Sequence, residues 1–402
     1  MTPDDIISDV DEYVLGTYAR IPLTIKKGEG CWVWDYENHK FLDFTTGIAV
    51  TSLGHSHPKL LEVINSQSKE IIHSSNLFYL ESQARLAKTL VENSFADKVF
   101  FCNTGTEAVE GAIKFAKKWG SKNNNKYKII STFGSFHGRT YGSLSATGTQ
   151  KYHDGFEPLL EGFDFVPYGD TDALRKTVSE NKICAVIVEP IQGENGVIIP
   201  KHGYLKEIKN ICDENDILLI LDEIQVGMGR TGKLFAYEHE GIEPDIITLA
   251  KALGGGVPCG AVLLNNRVAE SITPGSHGTT FGGNPLAVSC ASATLEIINS
   301  KDLLSDISEL GDYFLEMLNE IHAEYPGLIN DVRGKGFILG IEFNSPETAK
   351  NVITKCIENG LLTIHTAGTV MRILPPLIAG KEEIEFALNI INQSLKEVLT
   401  DG

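Results

Sequence analysis

The sequence predicts an α/β fold: a mostly parallel sheet covered by helices on both faces, followed by a smaller α+β unit. Two patterns carry this expectation. Through the middle of the chain, short apolar runs alternate with amphipathic helical patterns, the signature of successive strand–helix–strand units. After about Asn284 that alternation stops and long amphipathic helices take over.

The strands expected in the first region are Lys98–Cys102, Lys128–Thr132, Cys184–Val188, Ile217–Leu221, Ile246–Leu249 and Ala261–Leu264. Helices around Asp172–Glu180 and Tyr204–Asn215 lie between them. In the second region Leu303, Leu304, Ile307, Leu310, Phe314, Leu318 and Ile321 recur at helical spacing. Strand-like pieces follow near Phe337–Glu342 and Val370–Leu374, and an amphipathic helix near Lys381–Leu399 closes the chain. The first forty or so residues are too poor in apolar side chains to fold alone, so they should pack on the smaller unit or on a partner subunit. The expected division is an N-terminal segment at 1–45, a large α/β domain at 46–285 and a small α+β domain at 286–402.

Bulk properties narrow the function classes. With 402 residues the chain can hold two or three cores, and 42% hydrophobic with 22% charged residues describes a globular protein. A net charge of −18 argues against a nucleic-acid partner, which needs a basic face, though local basic pockets for small anions remain open. Seven scattered cysteines without C-x-x-C pairs read as small buried hydrophobes, not a disulfide or zinc framework, so no metal is expected. Met1–Glu12 is acidic and lacks an apolar signal-peptide core, and no apolar run approaches a membrane span. The expectation is a cytoplasmic protein with no membrane association.

Two residues carry the first chemical signal. Asp222 ends the apolar run Ile217–Leu221, so its carboxylate should emerge at the C-terminal edge of a buried parallel strand, where ligands of α/β sheets bind. Lys251 follows another such run and precedes three glycines. A lysine and a carboxylate at one sheet edge suit one cofactor in particular. The amine forms a Schiff base with pyridoxal phosphate and the carboxylate faces its protonated ring nitrogen.

Other segments can join that edge. Asn103-Thr104-Gly105-Thr106-Glu107 follows a strand and opens a helix with Val109, Ala112, Ile113 and Ala116 on one stripe. Thr104 and Glu107 match a capping box, leaving Gly105 and Thr106 in the first turn, where free N–H groups suit a phosphate; by itself the segment is only a capped helix. In Phe136-His137-Gly138-Arg139 an aromatic ring can stack on a heterocycle while the guanidinium binds a carboxylate, or the segment is an exposed turn. His137 takes no role in this reading. Glu194 follows another strand end and can hang over the same edge or sit in solvent. Arg372 lies in an apolar strand-like run and should face an anion. The glycine-rich turn His277–Asn284 brings Thr279 and Thr280, which could donate to phosphate. Gly227-Met228-Gly229-Arg230-Thr231-Gly232 spells a dinucleotide fingerprint but neither ends a strand nor opens a helical pattern, so that reading is rejected.

The run from Asp222 to Gly232, followed by Ala250-Lys251-Ala252-Leu253-Gly254-Gly255-Gly256, resembles the class III (ornithine-type) aminotransferases. The likeness extends from Gly28-Glu29-Gly30 and Trp34-Asp35 to Arg372-Ile373-Leu374-Pro375-Pro376. It implies a fold type I transferase with a seven-stranded sheet, pyridoxal 5'-phosphate as cofactor, and a homodimer with active sites at the subunit interface. It further implies Lys251 as Schiff-base lysine and general base, Asp222 at the pyridinium, Gly105 and Thr106 at the phosphate, Phe136 on the ring and Gln225 at the phenolic oxygen. Thr280 would reach the phosphate of the neighbouring subunit, with Thr279 near substrate, and Tyr18 aligns with a substrate-side tyrosine. Ile48, within Phe44–His55, stands where ornithine enzymes carry tyrosine; losing that hydroxyl suits an acylated amine, although 4-aminobutyrate enzymes are also apolar there.

Within the family the chain is most similar to the acetylornithine-specific members. That implies transfer of the δ-amino group of N2-acetyl-L-ornithine to 2-oxoglutarate, giving N-acetylglutamate 5-semialdehyde and glutamate, in arginine biosynthesis. Arg139 would pair with the donor's α-carboxylate, and Glu194 would mask Arg372 until the keto acid arrives. Ornithine, succinylornithine, succinyl-diaminopimelate or 4-aminobutyrate are alternative donors. An anion- or nucleotide-binding module is the alternative outside enzymes.

Overall fold

The computed structural model describes residues 1–180 and 182–401. Its centre is a seven-stranded sheet in the order Lys98–Cys102, Gly260–Leu264, Ile246–Leu249, Leu218–Asp222, Ile183–Val188, Lys128–Thr132, Phe163–Val166. Gly260–Leu264 runs antiparallel to both neighbours, and every other pairing is parallel. The inner strands Ile183–Val188, Leu218–Asp222, Ile246–Leu249 and Gly260–Leu264 are buried at every residue, which is why they read as unbroken apolar runs.

The six expected strands are all present. The seventh, implied by the resemblance but not marked by the apolar pattern, is Phe163–Val166: it is an edge strand, half-exposed over Phe163–Phe165, and its Asp164 breaks the apolar signal. The expected capping box forms only in half. Thr104 Oγ1 accepts from the Glu107 N–H at 3.3 Å, but the Glu107 carboxylate turns to the backbone and side-chain amides of Asn103, at 2.7 and 2.8 Å. The helix Gly105–Lys122 still starts where the pattern placed it, with Val109, Ala112, Ile113 and Ala116 buried.

A four-stranded antiparallel sheet orders Ile329–Lys335, Ile338–Phe343, Val370–Ile373 and Ile364–Thr366. The helix Lys301–Glu324 buries Ile307, Phe314, Leu318 and Ile321, and Ser300 caps it by accepting from the Leu303 N–H. A third sheet joins Ile25–Glu29, Trp32–Asp35 and Lys40–Asp43 to Leu361–Leu362, the last pair parallel. Phe44 and Phe314 also pack, with ring centroids 6.1 Å apart. No helix among the described residues is long and apolar enough to cross a membrane.

Candidate active site

The C-terminal ends of the parallel strands open onto a cavity of about 420 Å³, within the usual range for a small-molecule site. Asp222, the last residue of its strand, is buried on the cavity wall. Its Oδ1 accepts from the Ile224 N–H at 3.2 Å and the Thr248 hydroxyl at 3.1 Å. Its Oδ2 lies 2.7 Å from Nδ1 of His137, whose side chain is fully enclosed. Facing a carboxylate, that nitrogen carries the proton and donates. Burial opposes the imidazolium, but the bond and charge of Asp222, with the charge of Glu189, outweigh it and hold the His137 pKa above the usual histidine value. Three donors thus fix the Asp222 carboxylate in place.

Lys251 starts a short 3-10 turn directly after the strand Ile246–Leu249 and lines the same cavity. Its φ of +43° is left-handed, a conformation that costs a non-glycine residue energy and commonly marks functional sites. Burial pulls its amine from the usual 10.5 down to about 8, and Arg372 adds to this; Glu194, Asp222 and Glu189 pull the other way.

The start of the helix Gly105–Lys122 is open to the cavity. Among the described residues the N–H groups of Gly105 and Thr106 have no protein acceptor, as expected at a helix start. The Thr106 hydroxyl accepts from the Arg139 and Thr140 N–H groups at 3.3 and 3.2 Å and lies 2.6 Å from the Ser143 hydroxyl, locking the helix start to the neighbouring loop. Gly138 permits that approach: a Cβ there would stand 2.4 Å from Thr106 Oγ1, at a φ of +133°.

Opposite, Arg372 is buried, and its Nη1 donates to Glu194 Oε1 at 2.8 Å and to Gln225 Oε1 at 3.1 Å. Burial disfavours the Glu194 carboxylate, but Arg372 and then Lys251 keep its pKa below the usual value. Gly193 lets Gln225 in, because a Cβ there would overlap the Gln225 amide oxygen at 1.8 Å. Among the described residues the buried Arg372 Nε has no partner, a spare donor at the pair.

The structure therefore brings Gly105, Thr106, Phe136, Arg139, Glu194, Asp222, Gln225 and Lys251 to one cavity, with Arg372 behind Glu194. Thr279 is tied to its edge, accepting from Asn103 Nδ2 at 3.2 Å. Thr280, Ile48 and Tyr18 are exposed and do not line the cavity of this chain; Ile48 sits in a strained turn at φ +65°. The reading from sequence left out His137 and Glu189. Glu189 immediately follows the strand Ile183–Val188, the same signal that singled out Asp222. It is buried, accepts from the Phe136 and Gly193 N–H groups, and burial with the charge of Asp222 raises it to about 7 against the pull of His137.

An amine depressed by burial, a carboxylate held by three donors, an open helix start and an aromatic ring on one cavity wall fit pyridoxal phosphate group by group. The chain belongs to the class III aminotransferases, which use that cofactor: the family model described as aminotransferase class-III matches residues 14–395. The acetylornithine aminotransferase of Caldanaerobacter subterraneus subsp. tengcongensis is 48% identical over 389 residues, covering 96% of this chain and 98% of that one. Among solved structures, an ornithine aminotransferase from Toxoplasma gondii superposes with a TM-score of 0.97 at 34% identity, covering 100% of this chain and 97% of the other. An acetylornithine aminotransferase from Elizabethkingia anophelis gives 0.89 at 36% identity, covering 99% and 100%.

Proposed function

We propose that this aminotransferase takes the δ-amino group of N2-acetyl-L-ornithine, giving N-acetylglutamate 5-semialdehyde, and passes it to 2-oxoglutarate, giving glutamate. The observation that carries the reading is the asymmetry of the two arginines: Arg372 is already neutralised by Glu194, while the Arg139 guanidinium has no ion pair among the described residues. Two substrates with different carboxylate counts need such a pair. The relatives named acetylornithine aminotransferase support the donor, as does Ile48, whose apolar side chain offers nothing to a free α-amino group.

When bound, pyridoxal phosphate supplies an electron sink for the charge left as a proton leaves the carbon that bears the amino group. The protein does the rest. Gly105 and Thr106 would hold the phosphate by backbone N–H groups, and Phe136 would cover the ring. Asp222, fixed in place by its three donors, would face the ring nitrogen and hold its proton there. Lys251 would hold the cofactor and, as a free amine, would take up the proton that leaves the carbon as general base, which an amine of pKa about 8 can do near neutral pH. Gln225, on the same cavity wall, would reach the phenolic oxygen. Arg139 holds the α-carboxylate of the donor while Glu194 masks Arg372, which would otherwise be an uncompensated buried cation. When 2-oxoglutarate enters, Arg372 leaves Glu194 for its α-carboxylate and Arg139 takes the distal one.

Thr280 of a second copy would complete the phosphate site, with Thr279 near substrate, and Tyr18 would reach substrate from its exposed segment. This makes the working unit a homodimer, and we place it in the cytoplasm. The division at residues 45 and 285 fits the same arrangement, the small domain bringing Arg372 to the large domain's cavity. Single-turnover assays of each half-reaction test the switch: Glu194→Ala should slow the amine half by roughly tenfold or more and the keto-acid half far less. Equal losses sink it. Turnover with free ornithine matching acetylornithine sinks the donor assignment.

A further inference from the structure

Arg139 holds its position without an anion. Its backbone N–H donates to Thr106, but among the described residues its guanidinium makes no hydrogen bond and no ion pair. What it does touch is aromatic: the guanidinium carbon lies 4.1 Å from the ring centroid of Tyr152 and 5.5 Å from that of Phe136. Lys151 Nζ is a second, more distant cation at the Tyr152 ring, at 4.9 Å.

Tyr152 itself is well anchored. It ends the one-turn helix Gln150–Tyr152, whose preceding Thr149 donates from its hydroxyl to the Ser135 carbonyl at 2.9 Å. The next residue, His153, is buried, with Nε2 on the Thr147 carbonyl at 2.7 Å. The Tyr152 ring then meets Phe136 edge-on, centroids 5.4 Å apart at 79°. A rigid turn thus presents one ring to both the residue that covers the cofactor and the arginine beside it.

We infer that Tyr152 is a positioning residue for Arg139, an aromatic shelf that holds the guanidinium at the cavity while leaving its donors free for a substrate carboxylate. The chemistry distinguishes it from Arg372. A carboxylate partner occupies the in-plane N–H groups of a guanidinium, so a substrate must displace it. An aromatic face attracts the cation through the flat side of the group and leaves those N–H groups unspent. A carboxylate used in both half-reactions needs an arginine of the second kind. The inference rests on the carboxylate role given to Arg139 above.

The test is calorimetric binding of glutarate, an unreactive dicarboxylate, to the cofactor-loaded enzyme, alongside steady-state kinetics. Tyr152→Phe keeps the ring and should bind glutarate within about twofold of the parent. Tyr152→Leu and Tyr152→Met should weaken glutarate and raise KM for both substrates by roughly three- to tenfold, with kcat nearly unchanged. The methionine variant, flexible enough to fill the space, serves if leucine compromises folding. Parent-like glutarate affinity in the non-aromatic variants overturns the shelf, as does an equal loss in Tyr152→Phe. Arg139→Gln separates the two layers: if it leaves glutarate binding intact, the carboxylate role of Arg139 fails and the shelf with it. If it weakens binding while Tyr152→Leu does not, only the shelf fails.

Discussion

At the scale of single residues, Lys251 owes its usable amine to competing neighbours. Burial and Arg372 lower its pKa, whereas Glu194, Asp222 and Glu189 raise it, and the sum stands at about 8. A general base works only when neutral, so in the role proposed for Lys251 activity should rise as pH passes upward through that value. Glu194→Gln removes an anion that stabilises the ammonium and leaves Arg372 less compensated. Both changes lower the Lys251 pKa, so the rising limb of the single-turnover rate for the amine half should move to lower pH. A limb that stays in place or moves up contradicts this electrostatic picture. The residues legible from sequence share one property: Asp222, Lys251 and Glu194 each follow an apolar strand, and strand ends converge by topology. Tyr152 had no such marker, and His137, in the loop after the strand Lys128–Thr132, had nothing in its position to pair it with Asp222. Their importance comes from contacts with Asp222, across 85 positions, and with Arg139 through a turn whose shape no periodicity encodes.

At the scale of elements, the start of the helix Gly105–Lys122 and the loop Phe133–Thr140 form one unit through the Thr106 hydroxyl. Gly138→Ala puts a methyl group into that contact at a backbone angle alanine avoids. Thr106 must then shift, taking its N–H away from the proposed phosphate site. We expect cofactor affinity, followed by absorbance titration of the cofactor-free protein, to fall about tenfold or more while far-UV circular dichroism is unchanged. Unaltered affinity would show the two pieces to be independent. The edge strand Phe163–Val166 and the redirected Glu107 mark the limit of sequence reading at this scale. An edge strand has weak apolar contrast, and a carboxylate with more than one N–H donor in reach of it is settled by local geometry, not residue type.

At the scale of the whole molecule, buried acids set a pH slope on stability. Burial raises Glu223 from 4.5 to about 8 despite the N–H groups of Ala236 and Tyr237 that it accepts from, at 2.7 and 2.8 Å. Its folded pKa exceeds its unfolded one, so between these values the native state binds more protons and stability falls as pH rises. Glu189, raised to about 7, adds to the same slope over the lower part of the window. Urea midpoints at saturating cofactor should therefore decline from about pH 5 to 8, and Glu223→Gln should flatten that decline. A slope unaffected by the substitution would assign it to other groups.

The parallel pairing of Leu361–Leu362 with Leu42–Asp43 bears on how the chain is made. The strand Lys40–Asp43 is made about 320 residues before this partner. On one flank it can meet Trp32–Asp35 at once; the other flank stays an open edge until that partner has been made. A nascent chain would carry that unpaired edge across the whole interval, and a chaperone that shields strand edges would find its target there.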